Sequence, residues 1–247
     1  MDTSKRRARP LQYGIALLSG ALLITGCTAG TDSTAAPVTP SGGTSAADVP
    51  VGQVTSALLS AAASGDADAV RAALTQGAQV DARDDAGRTP LMNAVLDDDL
   101  AVARVLLEFG ADPDAKDNRG ESPWVNTGVT GSVAMMEALL PAQPDLTLRN
   151  RFGGNALIPA AEKGHLNYVR EVLRQTDIDI DHVNDLGWTA LLEAVYYGDG
   201  SAVYRDIVRT LVDNGADVAI RDSDGRTAYD HAVRRGFAEI ADLVKPR

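Results

Sequence analysis

The stretch Gly87-Arg88-Thr89-Pro90-Leu91 decides the fold, because its pattern occurs five times in nearly fixed phase. A turn glycine recurs at intervals of 33, 33, 34 and 38 residues, at Gly87, Gly120, Gly153, Gly187 and Gly225. Two residues after each glycine comes a side chain that can cap a helix: Thr89, Ser122, Asn155, Thr189 and Thr227. A period of this size indicates stacked helical units and not a single globular core.

Further columns in the same phase describe the inside of one unit. A large apolar column consists of Leu58, Leu91, Trp124, Leu157, Leu191 and Tyr229. Three residues later comes a small column of Ala61, Ala94, Thr127, Ala160, Ala194 and Ala232. The spacing of three keeps both columns on one helix face, and the small residues let a neighbouring helix approach closely. A second apolar pair, such as Leu106-Leu107, predicts a second, antiparallel helix in each unit.

The same unit continues with Leu106-Leu107-Glu108-Phe109-Gly110-Ala111-Asp112. Together the two stretches resemble the ankyrin repeat, and the resemblance covers roughly residues 54 to 247. The resemblance implies an all-α solenoid of about six helix-turn-helix repeats with β-hairpin-like finger loops, in a domain from residue 51 to 247. The expected repeats are 54–84, 85–117, 118–150, 151–184, 185–222 and 223–247.

The sequence departs from the family pattern in three places. The histidine that usually follows the large apolar residue is replaced by Met92, Val125, Ile158 and Leu192. Repeat three has Ser-Pro-Trp at residues 122–124 and lacks Gly-Ala-Asp. Repeat five carries about five extra residues around Gly200 to Arg205.

The N-terminus has the features of an export signal. A basic cluster at residues 5–9 precedes an apolar run from Ile15 to Ile24, which is too short to span a membrane. The following Ile24-Thr25-Gly26-Cys27 resembles the bacterial lipobox, which implies that residues 1–26 are a signal peptide and that Cys27 carries a lipid. The alternative is a cleaved signal with an incidental cysteine. We therefore expect a lipid-anchored protein that faces the periplasm or the cell exterior.

Residues 27–50 would then be the lipidated cysteine followed by a disordered tether, because Thr, Ser, Ala, Gly and Pro cannot bury enough apolar surface to fold. The net charge of the whole chain is −11. Without residues 1–26, 19 basic and 33 acidic side chains remain, a net charge of −14. Such a surface is unsuited to nucleic acid, which proteins bind by neutralising phosphates. It also leaves the lipid as the only expected contact with the membrane.

The sequence offers no recognisable catalytic motif, and its histidines at 165, 182 and 231 are scattered along the repeats. We predict that the protein is not an enzyme and has no catalytic residue, cofactor or metal. One acidic segment stays open: Asp177, Asp179 and Asp181 alternate with isoleucines and could hold a cation such as Ca²⁺. The simpler interpretation is an amphipathic finger with its isoleucines buried.

Large apolar residues at positions that the ankyrin fold usually leaves exposed predict a partner-binding surface on the concave face. Arginines occupy four finger tips, at Arg88, Arg119, Arg151 and Arg226. The predicted partner-binding residues are Phe152, Leu186, Trp188, Tyr196 and Tyr197. The alternative is that the tips pack on one another. Burial of Trp188, next to a turn glycine, is not expected to be required by the fold, whereas Trp124 is expected in the core.

The predicted function is a membrane-anchored, extracytoplasmic protein-protein interaction module whose protein partner has a basic rim to match the acidic surface. Similar bacterial proteins imply more specific roles: protection of an exported enzyme such as a catalase, or neutralisation of a toxin. Two other classes are an enzyme built on the acidic segment and the insertion, and a structural envelope protein without a discrete ligand. A deep pocket beside Asp177–Asp181 would favour the enzyme, and an exposed Trp188 on a flat groove would favour binding.

Overall fold

The described part of the computed structural model, residues 50–246, consists of paired helices joined by finger loops. Residues 1–49 and 247 lie outside it, so the predicted signal peptide, Cys27 and most of the predicted tether are not described. Its twelve α-helices are α1 Val51–Ala63, α2 Ala67–Thr75, α3 Pro90–Leu96, α4 Leu100–Glu108, α5 Pro123–Thr130, α6 Val133–Leu139, α7 Leu157–Glu162, α8 Leu166–Gln175, α9 Ala190–Tyr197, α10 Ala202–Asp213, α11 Ala228–Arg235 and α12 Ala238–Leu243. A 3-10 helix, Leu140–Ala142, follows α6.

The helices stack in two layers. The odd-numbered helices contact one another in sequence, α1 to α3 and onward to α11. The even-numbered helices do the same from α2 to α12, and each odd helix packs on the even helix that follows it. This is the all-α solenoid that the resemblance to ankyrin repeats implies, with six helix pairs in the described residues. None of these helices is both long and apolar enough to cross a membrane.

Burial confirms the repeat register. Five members of the large column, all but the partly buried Tyr229, are buried, and so is every member of the small column. Four of the five predicted caps form: Thr89, Ser122, Thr189 and Thr227 each accept a hydrogen bond from the backbone N–H three residues on. Asn155 accepts from Leu157 and Ile158 N–H, but α7 begins one residue later, after Ala156. Pro90 and Pro123 each occupy the first helical position. The substituted residues Met92, Val125, Ile158 and Leu192 are all buried, so apolar packing replaces the polar contacts of the usual histidine.

The finger loops are turns, and no strand is assigned within residues 50–246. In each of five fingers an Asp or Asn side chain accepts from two backbone N–H groups of its own turn, as Asp84 does from Ala86 and Arg88. The turn glycines have φ between 74° and 80°, which favours glycine. Neighbouring fingers are joined through the backbone, with Asn118 N–H donating to Ala86 and Asp185 N–H donating to Phe152.

The departures in repeats three and five are absorbed locally. In repeat three Trp124 is fully buried, and the Thr127 hydroxyl lies 2.7 Å from the buried Tyr168 hydroxyl of repeat four. A Cβ on Gly128 would lie 1.9 Å from the carbonyl oxygen of Ala156, so α5 and α7 approach closely there. In repeat five the extra residues lengthen the helices: α10 has 12 residues where α4 has 9.

Candidate partner-binding surface

In the finger of repeat five, residues 184–188, one side chain makes hydrogen bonds both within the finger and to α9. Asn184 Oδ1 accepts from the backbone N–H groups of Leu186 and Trp188, both at 3.0 Å. Its Nδ2 group donates to Oε1 of Glu193 on α9, also at 3.0 Å. Asn184 therefore fixes the finger that carries Leu186 and Trp188 relative to the helix that carries Glu193, Tyr196 and Tyr197.

Three of the predicted binding residues meet in one ring cluster, defined by Trp188, Tyr196 and Tyr197. The ring centroids of Trp188 and Tyr196 are 4.2 Å apart in an edge-to-face arrangement. Tyr197 lies 5.7 Å from Trp188 and 5.1 Å from Tyr196. The His231 ring from repeat six lies 5.4 Å from Tyr196. Both tyrosines remain exposed, so the cluster presents aromatic surface to solvent.

The position of Trp188 corrects one expectation. Its ring is only partly exposed and packs against the hydrophobic core as well as against the tyrosines. Because Tyr196 and Tyr197 stand at the end of α9 beside the finger, they cover the indole that a turn position alone would leave open. Trp188 thus supports the cluster from beneath, and part of its burial belongs to the fold.

The other two predicted residues lie at finger tips. Leu186 is 55% exposed and Phe152 is 45% exposed. Their fingers are adjacent, since Asp185 N–H donates to the Phe152 carbonyl at 3.0 Å. Arg151 places its guanidinium 4.5 Å from the Phe152 ring centroid and pairs with Glu121 at 3.3 Å. The structure therefore places Phe152 and Leu186 on neighbouring tips, and Leu186 lies in the same finger as Trp188.

Most of the finger-tip arginines have structural partners. Arg88 lies 3.9 Å from the Asp117 carboxylate of the next finger, and Arg226 pairs with Asp224 in its own finger. Together with the Arg151–Glu121 pair, these contacts hold three of the four tip cations at acidic neighbours. The predicted positive tips are thus largely neutralised in place.

Glu193 is a polar residue of this surface that sequence reasoning missed. It is only 4% exposed, and while Oε1 accepts from Asn184, the buried Oε2 has no hydrogen-bond partner. The pKa of Glu193 is raised to about 7: burial is the largest cause, the Glu162 carboxylate adds to it, and the hydrogen bond from Asn184 opposes both. A signal was present in the sequence: Glu193 stands four residues after its cap, where other repeats have Asn93, Asn126 and His231.

The acidic segment around Asp179 serves the joints between repeats. Asp181 Oδ1 accepts from Asp217 N–H at 2.8 Å. Two other joints have the same bond: Asp81 accepts from Asp112 N–H, and Asp114 accepts from Asp145 N–H. Ile178 is buried and Ile180 packs against the core, as in an amphipathic finger. Within residues 50–246, no three acidic, histidine or cysteine side chains come together as a metal-binding set.

The three histidines also have local partners in the fold. His165 Nε2 lies 3.2 Å from the Val129 carbonyl of the preceding repeat, and His182 Nε2 lies 2.6 Å from the carbonyl of Gly153 in its own repeat. His231 Nε2 lies 2.6 Å from Asp222 Oδ2. These contacts connect fingers and helices, and the structure does not bring the three histidines together.

Comparison with known proteins places this architecture in one family. The family model described as ankyrin repeats in three copies matches residues 44–117 and 128–222, more than half of the chain. A second model, ankyrin repeats in many copies, matches residues 206–244.

Individual relatives agree with the family models. The ankyrin repeat protein YahD of Escherichia coli (strain K12) is 46% identical over 104 residues, which are 42% of this chain and 52% of YahD. The mouse ankyrin repeat and SAM domain-containing protein 6 is 40% identical over 34% of this chain and 9% of its own length. The matched segment thus spans about half of the first relative and about a tenth of the second.

Solved structures show the same arrangement over most of the chain. The crystal structure of the ankyrin repeat protein EF0377 matches with a TM-score of 0.75 and 43% identity, over 77% of this chain and 96% of that one. The ankyrin repeat domain of Bcl-3, a member of the IkappaB family, matches with a TM-score of 0.68 and 27% identity, over 76% and 84%. This chain therefore belongs to the ankyrin-repeat family, whose members are generally non-enzymatic modules that bind other proteins.

Proposed function

We propose that this chain is an exported, lipid-anchored module that captures a protein partner on the ring cluster and the neighbouring tips of repeats four and five. The observation that carries the proposal is the exposed aromatic surface of Tyr196 and Tyr197 over Trp188. Aromatic side chains make up only 4% of the chain. Clusters of exposed aromatic and apolar residues mark interaction sites, and Trp and Tyr supply much of the binding energy in interfaces.

Export and anchoring are supported by the sequence around Cys27, which is the only cysteine in the chain. Acylation at Cys27 would hold the acidic domain at the membrane through the lipid alone. Replacing Cys27 by Ala should leave an unprocessed or mislocalised precursor. If the variant still fractionates with membranes and migrates like the wild-type protein, the lipoprotein proposal is wrong.

The binding surface is tested by crosslinking and pull-down from membranes with the tagged full chain. Trp188→Ala should weaken capture by at least about 2 kcal/mol, as expected for an interface hot spot. Because the Trp188 ring also packs on the core, Leu186→Ala serves as a second variant that removes exposed surface only. Phe109→Ala, an exposed aromatic at the end of α4, is the matched control. Unchanged capture by folded Trp188 and Leu186 variants would place the interface elsewhere.

A further inference from the structure

The carboxylate of Glu193 has two acceptor oxygens, and the described part of the protein uses only one of them. Oε1 is held by Asn184 at 3.0 Å, while Oε2 is buried and unpartnered among residues 50–246. An unsatisfied buried carboxylate oxygen carries a desolvation cost that a donor would remove. A buried acceptor that the fold leaves free is therefore suited to a donor from outside the chain.

The polar groups on the neighbouring helices do not supply that donor. On α7 the residue in the equivalent position is Pro159, and Glu162 has the wrong sign of charge. On α11 His231 is engaged by Asp222. Arg235, also on α11, directs its guanidinium to the backbone carbonyl oxygens of Val195 and Tyr196.

The ring cluster adds a second feature suited to a cation. Tyr196 and Tyr197 stand three and four residues after Glu193 on α9, and this spacing puts them beside it on the helix surface. Trp188 lies against both rings. A guanidinium or ammonium group is attracted to the faces of Trp and Tyr, most strongly where water is excluded. Aromatic faces and a spare carboxylate oxygen thus occur on one side of one helix.

We infer that the protein partner inserts an arginine or lysine side chain at the ring cluster, where its cation packs on the aromatic faces and pairs with Glu193. This inference rests on the proposed function and specifies its partner. Charge complementarity supports it, since the chain after residue 26 carries a net charge of −14. Arginine suits the site well, because its planar group can stack on a ring while its N–H groups bond a carboxylate.

Pairing with a cation would favour the ionised form of Glu193, so binding should release a proton near neutral pH. The pKa of free Glu193 is raised by burial to about 7, and a bound cation lowers it. Affinity should therefore increase as the pH rises from about 6 to about 8. The elements packed against α9 carry other charged groups, among them Glu162, the Asp222–His231 pair and Arg235, and variants at Glu193 separate its contribution from theirs.

The probe for this site is Nα-acetyl-L-arginine amide, with Nα-acetyl-L-citrulline amide as its neutral isostere. Binding to the full chain is followed by NMR at the indole N–H resonances. Trp188 reports on the site, and Trp124, buried in repeat three, is the internal control. The arginine probe should shift the Trp188 signal saturably and bind at least about tenfold more tightly than citrulline, as a charge-assisted pair predicts.

Glu193→Gln should remove most of this preference and its pH dependence. Glu108→Gln removes a carboxylate from α4 in repeat two. It should leave the arginine preference and its pH dependence unchanged. Equal binding of the two probes to the wild-type protein overturns the inference whether or not the variant folds. So does an arginine preference that survives Glu193→Gln.

The two proposals fail in different ways. A protein partner that depends on Trp188 but not on Glu193 overturns the cation site and leaves the proposed function standing. Selective arginine binding without any Trp188-dependent partner supports the cation site and removes the support for the proposed function.

Discussion

Repeats five and six place a polar pair at the same position and use it differently. In repeat six, His231 on α11 lies 2.6 Å from Asp222 in the finger. In repeat five, Glu193 on α9 accepts at 3.0 Å from Asn184 in the finger. Repeat two has a third version, with Asn93 donating to Asp84 at 3.2 Å. The fold needs one hydrogen bond between helix and finger, and several donor–acceptor pairs supply it. The second carboxylate oxygen of Glu193 is surplus to that requirement.

The two acids of this comparison respond to pH in opposite directions. Burial alone would raise the pKa of Asp222, but hydrogen bonds from Arg226 N–H, His231 and Asp224 N–H outweigh it and hold the pKa below its ordinary value. Asp222 therefore contributes stability above its unfolded pKa, which is lost as the pH falls through the folded value. For Glu193 the folded pKa is raised, so its contribution is present below the unfolded pKa and is lost as the pH rises through the folded value.

The largest expected effect tests the alignment of the repeats, on which the comparison of repeats five and six depends. Leu157 is fully buried in α7, between repeats three and five. Leu157→Ala should lower the free energy of unfolding by about 2–5 kcal/mol, because it leaves a cavity. Chemical denaturation measures the change. A loss below about 0.5 kcal/mol, typical of surface sites, would show that the repeats are misaligned.

The next largest effect is expected when the His231–Asp222 pair of repeat six is broken. His231→Ala should cost about 1.5–3 kcal/mol, the range for a hydrogen bond to a charged group, because Asp222 loses a buried partner. Thermal and urea unfolding near neutral pH measure the loss. Asn93→Ala, in the equivalent position of repeat two, serves as the comparison and should cost less. Both acceptors are carboxylates and only Asp222 is buried, so equal costs at the two sites would mean that burial adds nothing to the His231–Asp222 pair.

Glu193→Gln should sharpen the comparison by stabilising the protein above neutral pH. Between pH 4.5 and about 7 the unfolded chain ionises Glu193 while the folded chain keeps it protonated, so wild-type stability falls across this window. Glutamine removes that loss, a gain on the order of 2 kcal/mol at about pH 8 and near zero at about pH 4. Urea unfolding at both pH values measures it. A gain that is the same at both values contradicts the buried ionisation of Glu193.

The smallest expected effect concerns the finger tip. Leu186→Ala should change the free energy of unfolding by less than about 0.5 kcal/mol, because its side chain is mostly exposed. The same variant should nevertheless reduce partner capture. A melting temperature much lower than that of the wild-type protein would show that Leu186 packs against the neighbouring finger and does not form part of a free surface.

Repeat phase made most of the fold predictable. The caps at Thr89 and Thr227, the apolar column around Leu157 and the small column around Ala160 follow from periodicity, which reports what each residue faces within a unit. The ring cluster was predictable as a set of residues but not as a set of contacts. Whether Trp188 is open or covered depends on how Tyr196 and Tyr197 meet it across the loop. That contact between the rings is a feature of the tertiary structure.

Glu193 marks a different limit of sequence reasoning. The repeat alignment places Glu193 at a position where other repeats have polar residues. It also shows that the finger residue is Asn184 where repeats two and six have Asp84 and Asp222. Periodicity shows that the two residues change together. It does not show which carboxylate oxygen Asn184 engages, nor that the other remains buried without a donor. Those facts come from the placement of neighbouring helices.

The close contact at Gly128 limits how this gene could have changed by recombination. Repeats of similar length invite duplication and deletion, since a copied unit can stack on its neighbour. The equivalent positions in repeats two and five are Val95 and Val195, both buried. Either valine would collide with the backbone at Ala156, where even a single added carbon would lie 1.9 Å from oxygen. Repeat two or repeat five could therefore replace repeat three only with a change at the junction with repeat four.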